Sequence, residues 1–191
     1  MPENNKKVIL AITGASGSIY AKQLLHKLRT LKDPPQEIAV VFSDTAKEIW
    51  ESETGEKFTS SSPVKEYLNG SYYAPFASGS STFHTMIICP ASMGTIGRIA
   101  NGTSDDLIAR AADVILKEKR RLIIVPREAP FNYIHLKNME TLSQAGAVIC
   151  PASPSFYSKP KTIEELTMTV VERIIALAGF ENEGYHWMEN D

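Results

Sequence analysis

Four stretches rich in Ser, Thr and Gly each follow a short apolar run: TGASG at 13–17, SDTA at 43–46, PASMGT at 90–95 and PASPSFY at 151–157. A fifth, PREAPF at 126–131, offers Arg127 and Glu128. Hydroxyls and free backbone N–H groups at the start of a helix bind anions without a metal. Any one such loop reads equally well as a helix N-cap. Four of them on one edge of a sheet point to a shared, phosphate-bearing ligand. TGASG has the placement of a phosphate turn, but Ser16 stands where the second glycine of a dinucleotide GxGxxG belongs. The P-loop pattern, a GxSxG nucleophile elbow and the magnesium-holding DDxxD of isoprenyl diphosphate chemistry are all missing; Asp105-Asp106 has no second acid three residues on. A mononucleotide with one phosphate fits what is left, and FMN is the natural candidate.

Several charges fall where a helical pattern wants apolar residues. In TAKEIWESET, Glu53 completes the series Ala46, Ile49, Trp50 at i, i+3, i+4, i+7, so it is expected on the buried stripe, either desolvated or paired. If the helix frays before it, Glu53 is exposed. In 163–178, Ile163, Leu166, Val170, Ile174 and Leu177 line one face, and Arg173 falls about 20° from Leu166 at ~100° per residue. Its guanidinium either snorkels to water or aims at a bound anion. Arg110 borders the face of Leu107, Ala111 and Val114, with Lys117 one turn beyond; both face a cleft, or Arg110 pairs with Asp106 or Asp113. Tyr157 is a packed loop aromatic or a ligand-facing hydroxyl. The four histidines show no metal-ligand spacing and read as structural.

These residues need a scaffold. The apolar runs VILAI (8–12), IAVVF (38–42), MIIC (86–89), LIIV (122–125) and AVIC (147–150) do not alternate, as suits strands buried on both faces of a parallel sheet. Between them the spacing predicts helices over 17–31, 45–54, 94–117 (two, broken near Asn101-Gly102), 132–145 and 162–178. The expected fold is a doubly wound α/β three-layer sandwich, Rossmann-like or flavodoxin-like, in one domain with a core over about 6–179 and a short tail. The polar segment 55–85 reads as mobile or partner-facing. At 191 residues, 43% hydrophobic and 22% charged, with net charge −2, the chain has the balance of a globular protein and no polyanion-binding footprint. Cys89 and Cys150 end apolar runs and read as buried small hydrophobes of a reducing compartment. With no ~20-residue apolar stretch and no secretory signal, the expected location is the cytoplasm, with no role for a membrane or nucleic acid.

The chain resembles the UbiX-type flavin prenyltransferases from Val8 to about Gly179. The resemblance is carried by TGASG, Ser43, ASGS at 77–80, CPASMGT at 89–95, RAADV at 110–114, LKEKRRL at 116–122, VPREAPF at 125–131, IHLKNM at 134–139 and PSFY at 154–157. It implies binding of reduced FMN and dimethylallyl monophosphate, and transfer of the five-carbon unit to flavin N5 with ring closure at C6. The product it implies is prenylated FMN, the cofactor of UbiD-type decarboxylases, made without a metal. By the same resemblance Gly14, Ala15, Ser16, Ser43, Ser92, Met93, Gly94, Thr95 and Arg127 hold FMN. Glu53 moves a proton during ring closure, with Ser16, Tyr157 and Glu128 also in the catalytic group. Arg110, Lys117, Tyr157, Arg173, Ser78 and Ser80 surround the prenyl phosphate. A dodecamer with sites at subunit contacts is implied too, and Trp187 is matched to a tail aromatic.

Electrostatics makes this set coherent. As phosphate leaves an allylic carbon, preorganised Arg and Lys stabilise the charge it gains. A closed site keeps water from the allylic cation. Two other readings share the fold: an FMN-dependent cysteine-type decarboxylase, whose PxMNxxMW stretch is replaced here by PREAPFNYIHLKNM, and a non-catalytic FMN carrier, which leaves the inward Arg and Glu without a purpose.

Overall fold

The computed structural model describes residues 7–181. Strands β1 (Lys7–Ile12), β2 (Glu37–Phe42), β3 (Val64–Leu68), β4 (Thr85–Ala91), β5 (Arg121–Pro126) and β6 (Val148–Ile149) form one sheet in the order β3-β2-β1-β4-β5-β6. Every pairing is parallel. Helices α1 (Ser18–Thr30), α2 (Ala46–Thr54), α3 (Met93–Ala100), α4 (Leu107–Lys117), α5 (Tyr133–Gln144) and α6 (Ile163–Leu177) connect them.

Strand residues alternate between two cores, which is why the runs carry no polar position. Val8, Leu10 and Ile12 pack with Leu24 and Leu28 of α1, Trp50 of α2, and Val170 and Ile174 of α6. Ile9 and Ala11 face the other way, against Ile96 of α3, Ile108, Ala111 and Ile115 of α4, and Leu142 of α5. This is the three-layer sandwich expected, in the strand order of the Rossmann type. The strand order reverses between β1 and β4, and a crevice opens there beyond the strands' carboxyl ends.

Three expectations about elements change. The segment 55–85 supplies β3, a half-exposed edge strand in which only Val64 is buried, and it buries Phe76 and Phe83 at 1% exposure each. The last strand shrinks from 147–150 to Val148–Ile149. The buried face of α6 is Thr167, Val170, Val171, Ile174 and Ile175, so Ile163 is 67% exposed and Arg173 lies outside the stripe. Four helices begin on side-chain caps that fix their start: Ser92, Asp106, Asn132 and Thr162. His135 belongs to the Asn132 capping box, a structural role for one of the four histidines.

Candidate active site

α1 begins differently. Its N-cap, Gly17, offers no side chain and sits at φ 116°, a conformation glycine adopts freely. The orphan amides are taken instead by α2: Glu53 Oε2 accepts from Gly17 N at 2.9 Å and from Ser18 N at 2.7 Å. Glu53 is thus exposed and paired, in a helix that does not fray before it, and not on the buried stripe. Partial burial pushes its pKa up, but donors from Ser16, Ser18 and Gly17 outweigh that, and the net shift is downward. The carboxylate therefore holds the place the sequence offered to a phosphate at the TGASG turn. Arg127 closes the same corner, Nε donating to Ser16 O at 2.8 Å.

The β1 and β4 ends are locked together by Thr13, 1% exposed, which sequence reasoning passed over. Its hydroxyl donates to Pro90 O at 2.8 Å and accepts from Ser92 N at 2.7 Å. This sets Ser92 at the head of α3, where its Oγ accepts from Thr95 N and lies 3.1 Å from Thr95 Oγ1.

Between these loops lies a cleft of about 500 Å³, lined by Gly14, Ser43, Asp44, Thr45, Asn69, Ser92, Thr95, Arg98, Asp105 and Asp106. That volume suits a small cofactor. A Cβ on Gly14 would stand 2.6 Å from Thr45 Oγ1, so any larger residue there forces the Thr45 side chain to move. Hydroxyls on the lining and a glycine floor fit a flavin mononucleotide. Arg98 donates to Thr95 Oγ1 at 3.4 Å and pairs with Asp106 and Asp105. Asn69 entered no expectation because β3 was not recognised. The signal that could have found it is Asn69-Gly70, a turn dipeptide directly after a short stretch holding Val64, Tyr67 and Leu68.

The other expected residues divide. Ala15 is buried beneath the turn; Met93 is partly buried and Gly94 exposed on the first turn of α3. Glu128 is exposed and accepts from Ala129 N. Tyr157 is 66% exposed in the loop after β6, which Ser155 N ties to Thr169 of α6. Arg173 is exposed on α6, and its charge offsets part of the burial that raises the thiol pKa of Cys150 beyond β6. Cys89 is fully buried, and burial pushes its thiol far up; Cys150 is half-buried.

Arg110, Lys117, Ser78 and Ser80 form a second group. Arg110 Nε donates to Ala77 O at 3.0 Å and Nη1 pairs with Asp113, the structural pairing its spacing allowed. Lys117 pairs with Glu118, and Arg120 Nη2 donates to Gly79 O at 2.6 Å. Ser78 and Ser80 stand with their hydroxyls 3.3 Å apart on the same loop. Lys117 and Arg120 precede β5 and this loop precedes β4, so they sit at the amino-terminal edge of the sheet. A six-residue strand places that edge ~20 Å from Glu53 and Arg127. One chain does not by itself gather the whole expected phosphate site. Trp187 lies outside the described residues.

A parallel sandwich binds its ligands in the crevice at its strand reversal, and the family model described as Flavoprotein matches residues 1–176. Flavin prenyltransferase UbiX of Methanocaldococcus jannaschii is 44% identical over 92% of this chain and 95% of its own. A crystal structure of AnUbiX (PadA1) in complex with FMN and dimethylallyl pyrophosphate superposes with a TM-score of 0.86 at 35% identity, covering 97% of this chain and 100% of that one. A dodecameric FMN-dependent UbiX-like decarboxylase from Escherichia coli O157:H7 gives 0.85 at 35% identity, covering 95% and 100%. The chain belongs to the Flavoprotein family and, within it, to the UbiX-type flavin prenyltransferases.

Proposed function

We propose that this chain is a flavin prenyltransferase that joins the dimethylallyl group of dimethylallyl monophosphate to N5 and C6 of reduced FMN. The observation that carries the reading is the Glu53 carboxylate seated on Gly17 and Ser18 amides beside Arg127, in a chain so similar to relatives of that name. Reduced FMN supplies the nucleophilic ring atoms. Gly14, Ala15, Ser16, Ser43, Ser92, Met93, Gly94, Thr95 and Arg127 hold it. Glu53, kept ionised by its donors, accepts a proton during ring closure, with Ser16 orienting it. Tyr157, Arg173 and Glu128 face the prenyl phosphate from the carboxyl edge.

Arg110, Lys117, Ser78 and Ser80 serve the site of a neighbouring subunit. The place of Lys117 and of the Ser78–Ser80 loop at the sheet's amino-terminal edge, away from Glu53, supports that arrangement, as does the dodecameric state of a structural relative. Arg and Lys there neutralise the departing phosphate in the role a metal plays for diphosphates. Among the described residues, no group of three or more His, Cys, Asp or Glu is placed to hold a metal ion. The product is prenylated FMN, passed to a UbiD-type decarboxylase. The protein works in the cytoplasm; among the described residues no helix is long and apolar enough to cross a membrane. Incubation with FMN, a reductant and dimethylallyl monophosphate, followed by flavin mass measurement, tests the reading. A five-carbon gain is expected, and an unchanged flavin with both mono- and diphosphate donors would favour the carrier.

A further inference from the structure

We propose that Arg98 is a positioning residue that fixes the direction of the hydroxyl pair Thr95–Ser92, so that Ser92 presents a proton to the cleft. The inference rests on the cleft being the flavin site.

A hydroxyl can donate or accept, and nothing in Ser or Thr alone decides which. Arginine can only donate. Arg98 Nη2 stands 3.4 Å from Thr95 Oγ1, and its charge turns that oxygen toward it. Thr95 is 2% exposed, so its own proton needs a partner inside the protein. Ser92 Oγ, 3.1 Å away, is the acceptor in reach, since Arg98 offers none. Ser92 Oγ also accepts from Thr95 N at 3.4 Å, which fills its second lone pair. Thr13, the other neighbour, is committed: it donates to Pro90 O and accepts from Ser92 N. The Ser92 proton is left for the cleft.

Arg98 is in turn held in place. Asp106 accepts from it at 3.3 Å while capping α4 through Ala109 N at 2.7 Å, and Asp105 stands 3.4 Å from Nε. Hydrogen-bond direction thus runs outward from Arg98, which Asp106 anchors as an acceptor, through Thr95 and Ser92 to the ligand. The atom it selects is an oxygen that only accepts: a phosphate oxygen, or a carbonyl oxygen of the flavin ring.

The test measures Kd for FMN and for riboflavin, by fluorescence quenching of the full chain, in wild type, Arg98→Met, Arg98→Lys, Ser92→Ala and the double variant Arg98→Met/Ser92→Ala. Thermal unfolding of each checks that it folds. Arg98→Met is expected to weaken flavin binding about tenfold, the loss of roughly one well-placed hydrogen bond. Arg98→Lys, also a pure donor, restores binding to within about threefold. Arg98→Met adds nothing once Ser92 is Ala. Loss for FMN alone identifies a phosphate oxygen, and loss for both flavins a ring oxygen. Unchanged binding in Arg98→Met, or an equal loss in the Ser92→Ala background, overturns the relay while leaving the flavin site standing. A wild-type chain that binds neither flavin overturns the site itself, and the relay with it.

Discussion

Glu53 Oε2 accepts the amide proton of Ser18 at 2.7 Å, so the carboxylate of one helix caps the start of another. An anion on an N-terminal turn is stabilised by the amides it meets and by the helix dipole. The residue thereby gains a fixed position beside the TGASG turn and an ionised state, as the proposed proton acceptor needs.

Replacing that charge should separate binding from chemistry. Glu53→Gln keeps the side chain's shape, so the FMN Kd changes by less than about threefold, while the yield of five-carbon flavin falls about 10²-fold or more, the usual worth of a positioned acid or base. Stopped-flow absorbance with mass detection reads both. A fully active Gln variant would remove Glu53 from the chemistry.

The same contact carries a pH signature. Because the folded-state pKa of Glu53 is lowered from its ordinary 4.5, its contribution is present above that value and is lost as pH falls through the lower, folded one. The stability difference between wild type and Glu53→Gln, followed by thermal unfolding, should be constant at neutral pH and shrink only in acid. A difference that grew on acidification would contradict the contact.

Gly14→Ala should fold and bind flavin poorly. Its Cβ would stand 2.6 Å from Thr45 Oγ1, and Thr45 borders the cleft. The Thr45 side chain must turn to make room, which reshapes the cleft's border, and a rise in Kd of about fivefold, or ~1 kcal/mol, is expected. Titration of the variant with FMN is the measurement.

Thr13→Val removes a buried donor and acceptor together while keeping volume. Ser92 N loses its acceptor at about 1–3 kcal/mol, while Pro90 O keeps the backbone N–H of residue 13 at 3.2 Å, and the melting temperature drops accordingly. Ser92 also loses its fixed place, so FMN affinity should fall with stability.

Chains carrying Lys117→Ala and chains carrying Arg173→Ala should each be inactive alone. If Lys117 serves a neighbour's site, mixed assemblies regain activity at about a quarter of their sites, where both partners supply the intact residue. Activity that stays at the level of the separate variants would place both residues in one chain's own site.

Much of this was legible in the residues. Apolar runs such as VILAI and IAVVF mark strands buried on both faces, and helix caps fall where Ser, Asp, Asn and Thr precede periodic segments. β3 escaped because a half-exposed edge strand tolerates charge, and VKEYL is neither a continuous apolar run nor an alternating one. Glu53 was marked as odd for its place on a helical wheel; its amide partners on α1 lie 35 residues away, beyond any local pattern. Periodicity also put Arg173 near the buried stripe of α6, but α6 is rotated toward Thr167 and Val171 because it packs against α1. Thr13 and Arg98 carried no signal: a threonine at a strand end and an arginine in a short helix are ordinary until β4 and α4 are set beside them.

The most direct measurement of the central claim is a balance sheet of the reaction in excess chelator: flavin mass and inorganic phosphate, followed together from reduced FMN and dimethylallyl monophosphate. One phosphate is expected for each five-carbon unit gained by the flavin, at a rate the chelator does not change. Phosphate release without a heavier flavin, or a flavin gain that the chelator abolishes, would contradict it.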